Sequence, residues 1–173
     1  SETGLLSFGG MHPDYPDWKL ELSRLARTGV KGIKFHPVYQ NVDLDDLRYL
    51  RIMDRAAELG LITLTHAGLD IGFPGAVFCT PEMIVNIYRE LGGIPLILAH
   101  MGGWRQWDDV ERLVARTPFY LDTAYCMRPI TPLEGEPWTG GPLETMSQEQ
   151  FLRFVQVFGA ERLLFGTDSP WSG

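Results

Sequence analysis

Six apolar runs of strand length recur along the chain: Leu5 to Met11, Gly32 to His36, Leu61 to His66, Pro95 to His100, Phe119 to Thr123 and Arg162 to Asp168. An amphipathic helical pattern fills each interval between them. The runs are rich in β-branched and aromatic residues and continuous rather than alternating, which is the pattern of strands buried on both faces in a parallel sheet. Parallel strands need crossover connections, so strict alternation of strand and helix restricts the fold to a barrel or a doubly wound open sheet. A doubly wound nucleotide binder would carry a GxGxxG or P-loop motif after its first strand, and neither is present.

The helical patterns have their own punctuation. Asp17 to Arg27 sets Trp18, Leu22, Leu25 and Ala26 on one stripe and stops at Thr28-Gly29; Asp45 to Leu59 aligns Leu47, Leu50, Met53 and Ala57 and stops at Gly60. Pro81 to Leu91 has Thr80 as N-cap, Pro81 at the first helical position and Gly92-Gly93 as its stop. Asp108 to Ala115 and Ser147 to Phe158 are the remaining two. Residues 126–146 break the rhythm with four prolines and three glycines; a loop of that length is expected to act as a lid or binding loop.

Polar residues fall at telling places. GIKFHP, ITLTHAG, LILAHMGG and LLFGTDSP each run from apolar residues into His36, His66, His100 or Asp168 and then into a turn-former. Side chains at the C-terminal ends of parallel strands converge on a shared crevice, in barrels and open sheets alike. A single histidine is more often structural, but three of the four in this chain occupy strand ends, and His12 lies just past the end of the first run. Neutral imidazoles and a carboxylate are the usual ligands of zinc and related divalent ions, which make a hydroxide available near neutral pH. Lys34 shares a face with His36 and reads equally as a site residue or an internal salt-bridge partner. Arg105, Trp104, Arg128 and Trp171 follow strand ends or sit in the long loop, where they would hold a carboxylate or an unsaturated substrate. Asp43-Asp45-Asp46 and Asp108-Asp109 read as helix N-terminal charges.

Bulk properties narrow the partners. With a formal charge of -7 the chain lacks the basic face that nucleic acid requires, so a small-molecule substrate is expected. Cys79 and Cys126 form no CxxC pair, which points away from a disulfide framework or cysteine zinc site and toward a reducing cytoplasm. No apolar run reaches the roughly 18 residues of a membrane span, and the first residues lack the basic region of a signal peptide. The 173 residues suit one domain.

The strings GIKFHPVYQ, LITLTHAG, LILAHMGGW and RLLFGTDSPW resemble the fourth, fifth, sixth and eighth strand motifs of the amidohydrolase superfamily, specifically its amidohydrolase-2 group of hydrolases and decarboxylases. The resemblance runs along essentially the whole chain and implies a partial (β/α)8 TIM barrel of about six parallel βα units. It also implies a divalent metal, most often zinc. By the same resemblance His66 would be a metal ligand, Asp168 a ligand or the partner of the metal-bound water, and His100 the acid/base residue beside it. His36, Arg105, Trp104 and Trp171 would contact substrate. The family's first strand carries an H-x-H or E-x-H pair that this chain lacks. The first run here resembles the third strand, so the first two βα units and the last helix are expected to be absent. An open six-stranded sheet with unpaired edges predicts self-association into a homo-oligomer. The expected activity is metal-dependent hydrolysis of a small carboxylate, amide or lactone. Its alternatives are metal-dependent decarboxylation of an aromatic or unsaturated acid, and a non-catalytic fragment of such an enzyme.

Overall fold

The computed structural model describes residues 4, 6–127, 143 and 145–168. Its strands are β1 (Phe8–Gly10), β2 (Gly32–Phe35), β3 (Ile62–Thr65), β4 (Leu96–Leu98), β5 (Tyr120–Asp122) and β6 (Leu163–Leu164). They form one parallel sheet in the order β1-β2-β3-β4-β5-β6. A doubly wound sheet reverses its strand order at a switch point. This order never reverses, so the sheet is a continuous arc of a (β/α) barrel and the open-sheet alternative is removed.

The helices are α1 (Trp18–Arg27), α2 (Pro37–Gln40), α3 (Leu47–Glu58), α4 (Pro81–Leu91), α5 (Trp107–Leu113) and α6 (Gln148–Phe158). α1 packs on α3, α3 on α4 and α4 on α5, a single layer over the convex face. The cap predicted from sequence forms, Thr80 Oγ1 accepting from Met83 N at 3.4 Å, and Ser147, which opens the last helical pattern, caps α6 by accepting at Oγ from Gln150 N at 3.1 Å. Asp46, in the acidic cluster, caps α3 by accepting from Arg48 N at 2.8 Å, and its bonds to Arg48 hold its carboxyl down at about 2. The short α2 was not legible as a helix. Pro37 opens it and Asn41, in a left-handed conformation at φ 52°, closes it.

Burial corrects one expectation. Ile33, Phe35, Thr63, Thr65, Leu96, Leu98 and Leu121 are buried beneath the helices. The residues between them are less covered: Lys34, Leu64 and Ile97 are half-buried and Tyr120 is 41% exposed. The strands are therefore buried on one face and half-open on the other, because among the described residues β1 and β6 each have a single neighbour and no strand closes the concave side. The apolar runs also overshoot the strands, which stop at Phe35, Thr65 and Leu98. His36, His66 and His100 thus belong to the segments leaving the sheet, where side chains can turn toward one another. Most of the predicted lid loop, with Arg128, and also Trp171, lie outside the described residues. Among the described residues no helix is long and apolar enough to cross a membrane.

Ile52 is fully buried on α3, whereas Leu20 on α1 is 71% exposed. Ile52→Ala should lower unfolding free energy by about 2–5 kcal/mol and Leu20→Ala by less than about 0.5 kcal/mol, read from urea denaturation; equal losses would contradict the packing described.

Candidate functional site

His36, His66, His100 and Asp122 all lie at the same end of neighbouring strands, at the close of β2, β3, β4 and β5. A chain of contacts links them. His36 and His66 stack with ring centroids 4.4 Å apart and an interplanar angle of 16°, and His100 Nε2 lies 3.0 Å from His66 Nδ1. Asp70, four residues beyond His66, brings its Oδ2 to 3.5 Å from His36 Nε2 and 3.9 Å from His66 Nε2, while its Oδ1 accepts from Gly72 N at 2.8 Å.

The backbone keeps these groups in register. Trp104 N donates to Ala67 O and Leu69 N to Trp104 O, both at 3.1 Å, so the segment after β3 is stitched to the segment after β4. Gly68, at φ 83°, is what allows this: a Cβ there would collide with the Trp104 backbone, and a positive φ is costly for other residues. His36 is braced from below, its N–H donating to Gln40 Oε1 at 3.0 Å while Gln40 Nε2 donates to Met11 O at 2.6 Å.

Proton positions follow from partners that can only accept. His100 Nδ1 is 2.9 Å from Ala124 O; a carbonyl has no proton, so Nδ1 carries one. In the neutral ring Nε2 is then a lone pair, facing His66 Nδ1. Neutral His66 has one proton for two contacts, Nδ1 toward His100 and Nε2 toward Leu69 O at 3.1 Å and the Asp70 carboxylate. The Leu69 carbonyl, the Asp70 carboxylate and the unprotonated ring nitrogens outnumber the protons available to them, an arrangement that suits a cation. His36 Nδ1 is a further buried atom without a hydrogen-bond partner among the described residues.

Burial supports the neutral state. It pushes His66 well below the usual imidazole range and lowers His36 to about 4, with the charges of Lys34 and His100 adding to both. It lowers His100 too, against the opposing pull of Asp122. Burial raises Asp70 and lowers Lys34, which feels Asp122 and Asp168. Neutral imidazole is the ligand form. Among the described residues His36, His66 and Asp70 offer ligand atoms all within 4.8 Å of one another. Tetrahedral zinc needs donors about 3.3 Å apart at its ~2.0 Å bond length, so small side-chain shifts would close the set, and the residues present fit a divalent ion.

The sequence candidates divide accordingly. His66 and His100 come into contact, and His36 joins His66. Asp168 lies at the same end but is exposed, at φ 55°, outside the close group; its charge reaches Lys34, Asp70, His100 and Tyr125. Trp104 is 1% exposed, and its ring stands edge-on to Tyr125 at 6.1 Å, so it packs behind the site. The Arg105 guanidinium rests 5.9 Å from the Trp104 ring centroid. His12 is exposed and its Nδ1 accepts from Asp14 N. Sequence reasoning missed Asp70 and Asp122. FYLD ends an apolar run on a carboxylate, the same pattern that singled out the histidines, and HAGLD places Asp70 one turn past His66. His100, Met101, Arg105, Tyr125 and Asp168 all have positive φ, each costing on the order of 1 kcal/mol, and all lie at this end of the sheet.

A family model described as Amidohydrolase, of the amidohydrolase-2 group, matches residues 7–173. No curated protein sequence matches the chain. Among solved structures it is similar to a probable 2-pyrone-4,6-dicarboxylic acid hydrolase from Acinetobacter baumannii with citric acid bound (TM-score 0.61, 14% identity, 98% of this chain and 59% of that one). It is also similar to 5-carboxyvanillate decarboxylase from Sphingomonas paucimobilis (0.62, 15%, 96% and 57%). A third is the 5-carboxyvanillate decarboxylase of Novosphingobium aromaticivorans with bound manganese and a nitrobenzoic acid (0.58, 19%, 96% and 56%). The chain spans less than two thirds of each, and at these identities the likeness shows the fold.

The depressed imidazoles predict acid sensitivity. As pH falls below the ordinary imidazole value of 6.5 the unfolded chain binds protons that folded His36, lowered to about 4, does not, so the stability it contributes is present above 6.5 and lost toward 4. His66 and His100 act in the same direction. Asp70, raised, acts oppositely as one group against three. The melting temperature of chelator-treated protein should therefore fall steadily from pH 7 to pH 4.5, whereas a flat profile would contradict neutral, buried imidazoles.

Proposed function

The chain belongs to the amidohydrolase-2 family, and from that premise we propose that it works as a metal-dependent hydrolase on a small carboxylate, amide or lactone. One observation carries the reading: His36, His66 and Asp70 present a neutral, converging donor set backed by His100. In this reading those three side chains hold the ion, with zinc the first to test and manganese the second. When bound, the ion supplies Lewis acidity and an acidified water. His100 holds His66 by accepting its Nδ1 proton, as a partner of a ligating imidazole does. Its own Nε2, unprotonated because Nδ1 donates to the Ala124 carbonyl, relays to the leaving group the proton that Asp168 takes from the attacking water, once the contact to His66 opens. Asp168, exposed at the mouth, accepts the proton of the attacking water, and Arg105 borders the substrate. Lys34 adds positive charge beneath His36 that favours an anionic substrate. The partner is a small molecule and the assembled form a homo-oligomer in the cytoplasm.

Decarboxylation of a carboxylic acid is the second reading, favoured by the Lys34 cation on the concave face, which would hold a carboxylate. Release of carbon dioxide rather than uptake of water separates the two. A non-catalytic fragment would bind metal without turnover on aromatic carboxylates and lactones.

Substitution tests the division of roles. His66→Ala and Asp70→Ala should lose most bound zinc or manganese by metal analysis, and His100→Ala should keep the metal and lower turnover by roughly 100-fold or more. Full metal binding in Asp70→Ala, with loss in Asp168→Ala, would move the carboxylate ligand from Asp70 to Asp168.

A further inference from the structure

His100 has every hydrogen-bonding group engaged. Its N–H donates to Asp122 Oδ1 at 3.0 Å, its carbonyl accepts from Trp107 Nε1 at 3.0 Å and Gly103 N at 3.3 Å, Nδ1 donates to Ala124 O at 2.9 Å, and Nε2 meets His66. Two of these depend on one carboxylate oxygen. Asp122 Oδ1 also accepts from Ala124 N at 3.0 Å, so the atom that grips the His100 backbone also bends the chain that offers the Ala124 carbonyl to the His100 ring.

The backbone of His100 needs such a grip. Its φ is 59°, a conformation that a non-glycine residue keeps only where its surroundings impose it. Released, it would relax to negative φ and swing the imidazole away from His66. The next residue extends the lacing: Thr123 N donates to Leu164 O at 3.0 Å, and Thr123 Oγ1 donates to Gly166 O and accepts from Gly166 N, both at 3.1 Å. One short segment, Asp122 to Ala124, therefore ties the His100 turn to the segment that leads to Asp168.

We propose that Asp122 is the positioning residue of this site, its Oδ1 holding the His100 and Ala124 backbones together so that His100 keeps a single Nδ1–H tautomer with Nε2 directed at His66. Asp122 acts through His100 and touches neither substrate nor ion. The proposal rests on the reading of His100 given above, but its primary test needs no turnover and so separates its failure from that reading's.

The test is long-range 1H–15N correlation of the histidine rings at pH 7.5. His100 in the unsubstituted protein should show one Nδ1–H tautomer, with slow amide exchange at His100 and Ala124. Asp122→Ala should show mixed tautomers at His100 and lower turnover 10- to 100-fold at unchanged zinc content. Asp122→Asn, whose carbonyl still accepts, should restore the single tautomer and turnover to within a few-fold. An unaltered His100 tautomer in Asp122→Ala, or equal losses in Ala and Asn variants, would overturn the proposal. If Asp122→Ala fails to fold, rapid exchange of the His100 and Ala124 amides in the unsubstituted protein overturns it alone.

Discussion

The contact between His66 and His100, 3.0 Å from ring to ring, is where the strands of this sheet are joined into a site. It exists because β3 ends one residue before His66 and β4 two residues before His100, and because the segments that follow are locked together. A parallel sheet sets neighbouring strand ends about 4.8 Å apart, which is close but does not aim the side chains. Aim comes from the stitch between Ala67, Leu69 and Trp104, from the Ala124 carbonyl behind the His100 ring, and from the Gln40 brace under His36.

Electrostatics and packing act together here. Packing of the rings on one another and on Tyr39 and Tyr125 keeps water from His66 and His100, and the missing water is what keeps them neutral and able to bind a cation. The same burial raises Asp70 and lowers Lys34, so both are less favourable charged than in water, and a cation between the donors would relieve the Asp70 carboxylate. Backbone strain points to the same place: five non-glycine residues at positive φ, His100 among them, lie in the segments that leave β4, β5 and β6.

Much of the fold was legible in the residues. Apolar runs with helical intervals required parallel crossovers, and Thr80, Ser147 and the acidic cluster at Asp46 marked helix starts that form as read. The strand ends were overshot because an apolar run does not say where pairing stops, and β6 shrinks to Leu163–Leu164. Burial on both faces was overread because composition cannot say whether the concave side has an opposite wall. At the site, placement at strand ends singled out His36, His66 and His100, but it could not rank them, since ring-to-ring distance depends on turns that the sequence does not specify. Asp70 was overlooked because it belongs to no strand; it reaches the histidines from the segment that Gly68 stitches to Trp104. Asp122 has the same placement, but the apolar run was bounded at Thr123, which puts the carboxylate inside the run rather than at its end.

X-ray absorption on the zinc-loaded protein reads the ligand set itself. Two imidazole nitrogens and a carboxylate oxygen are expected at about 2.0–2.1 Å, with the imidazole multiple-scattering signal reduced to one ring in His36→Ala. A spectrum with a single imidazole in the unsubstituted protein, or one left unchanged by His36→Ala, would contradict that set.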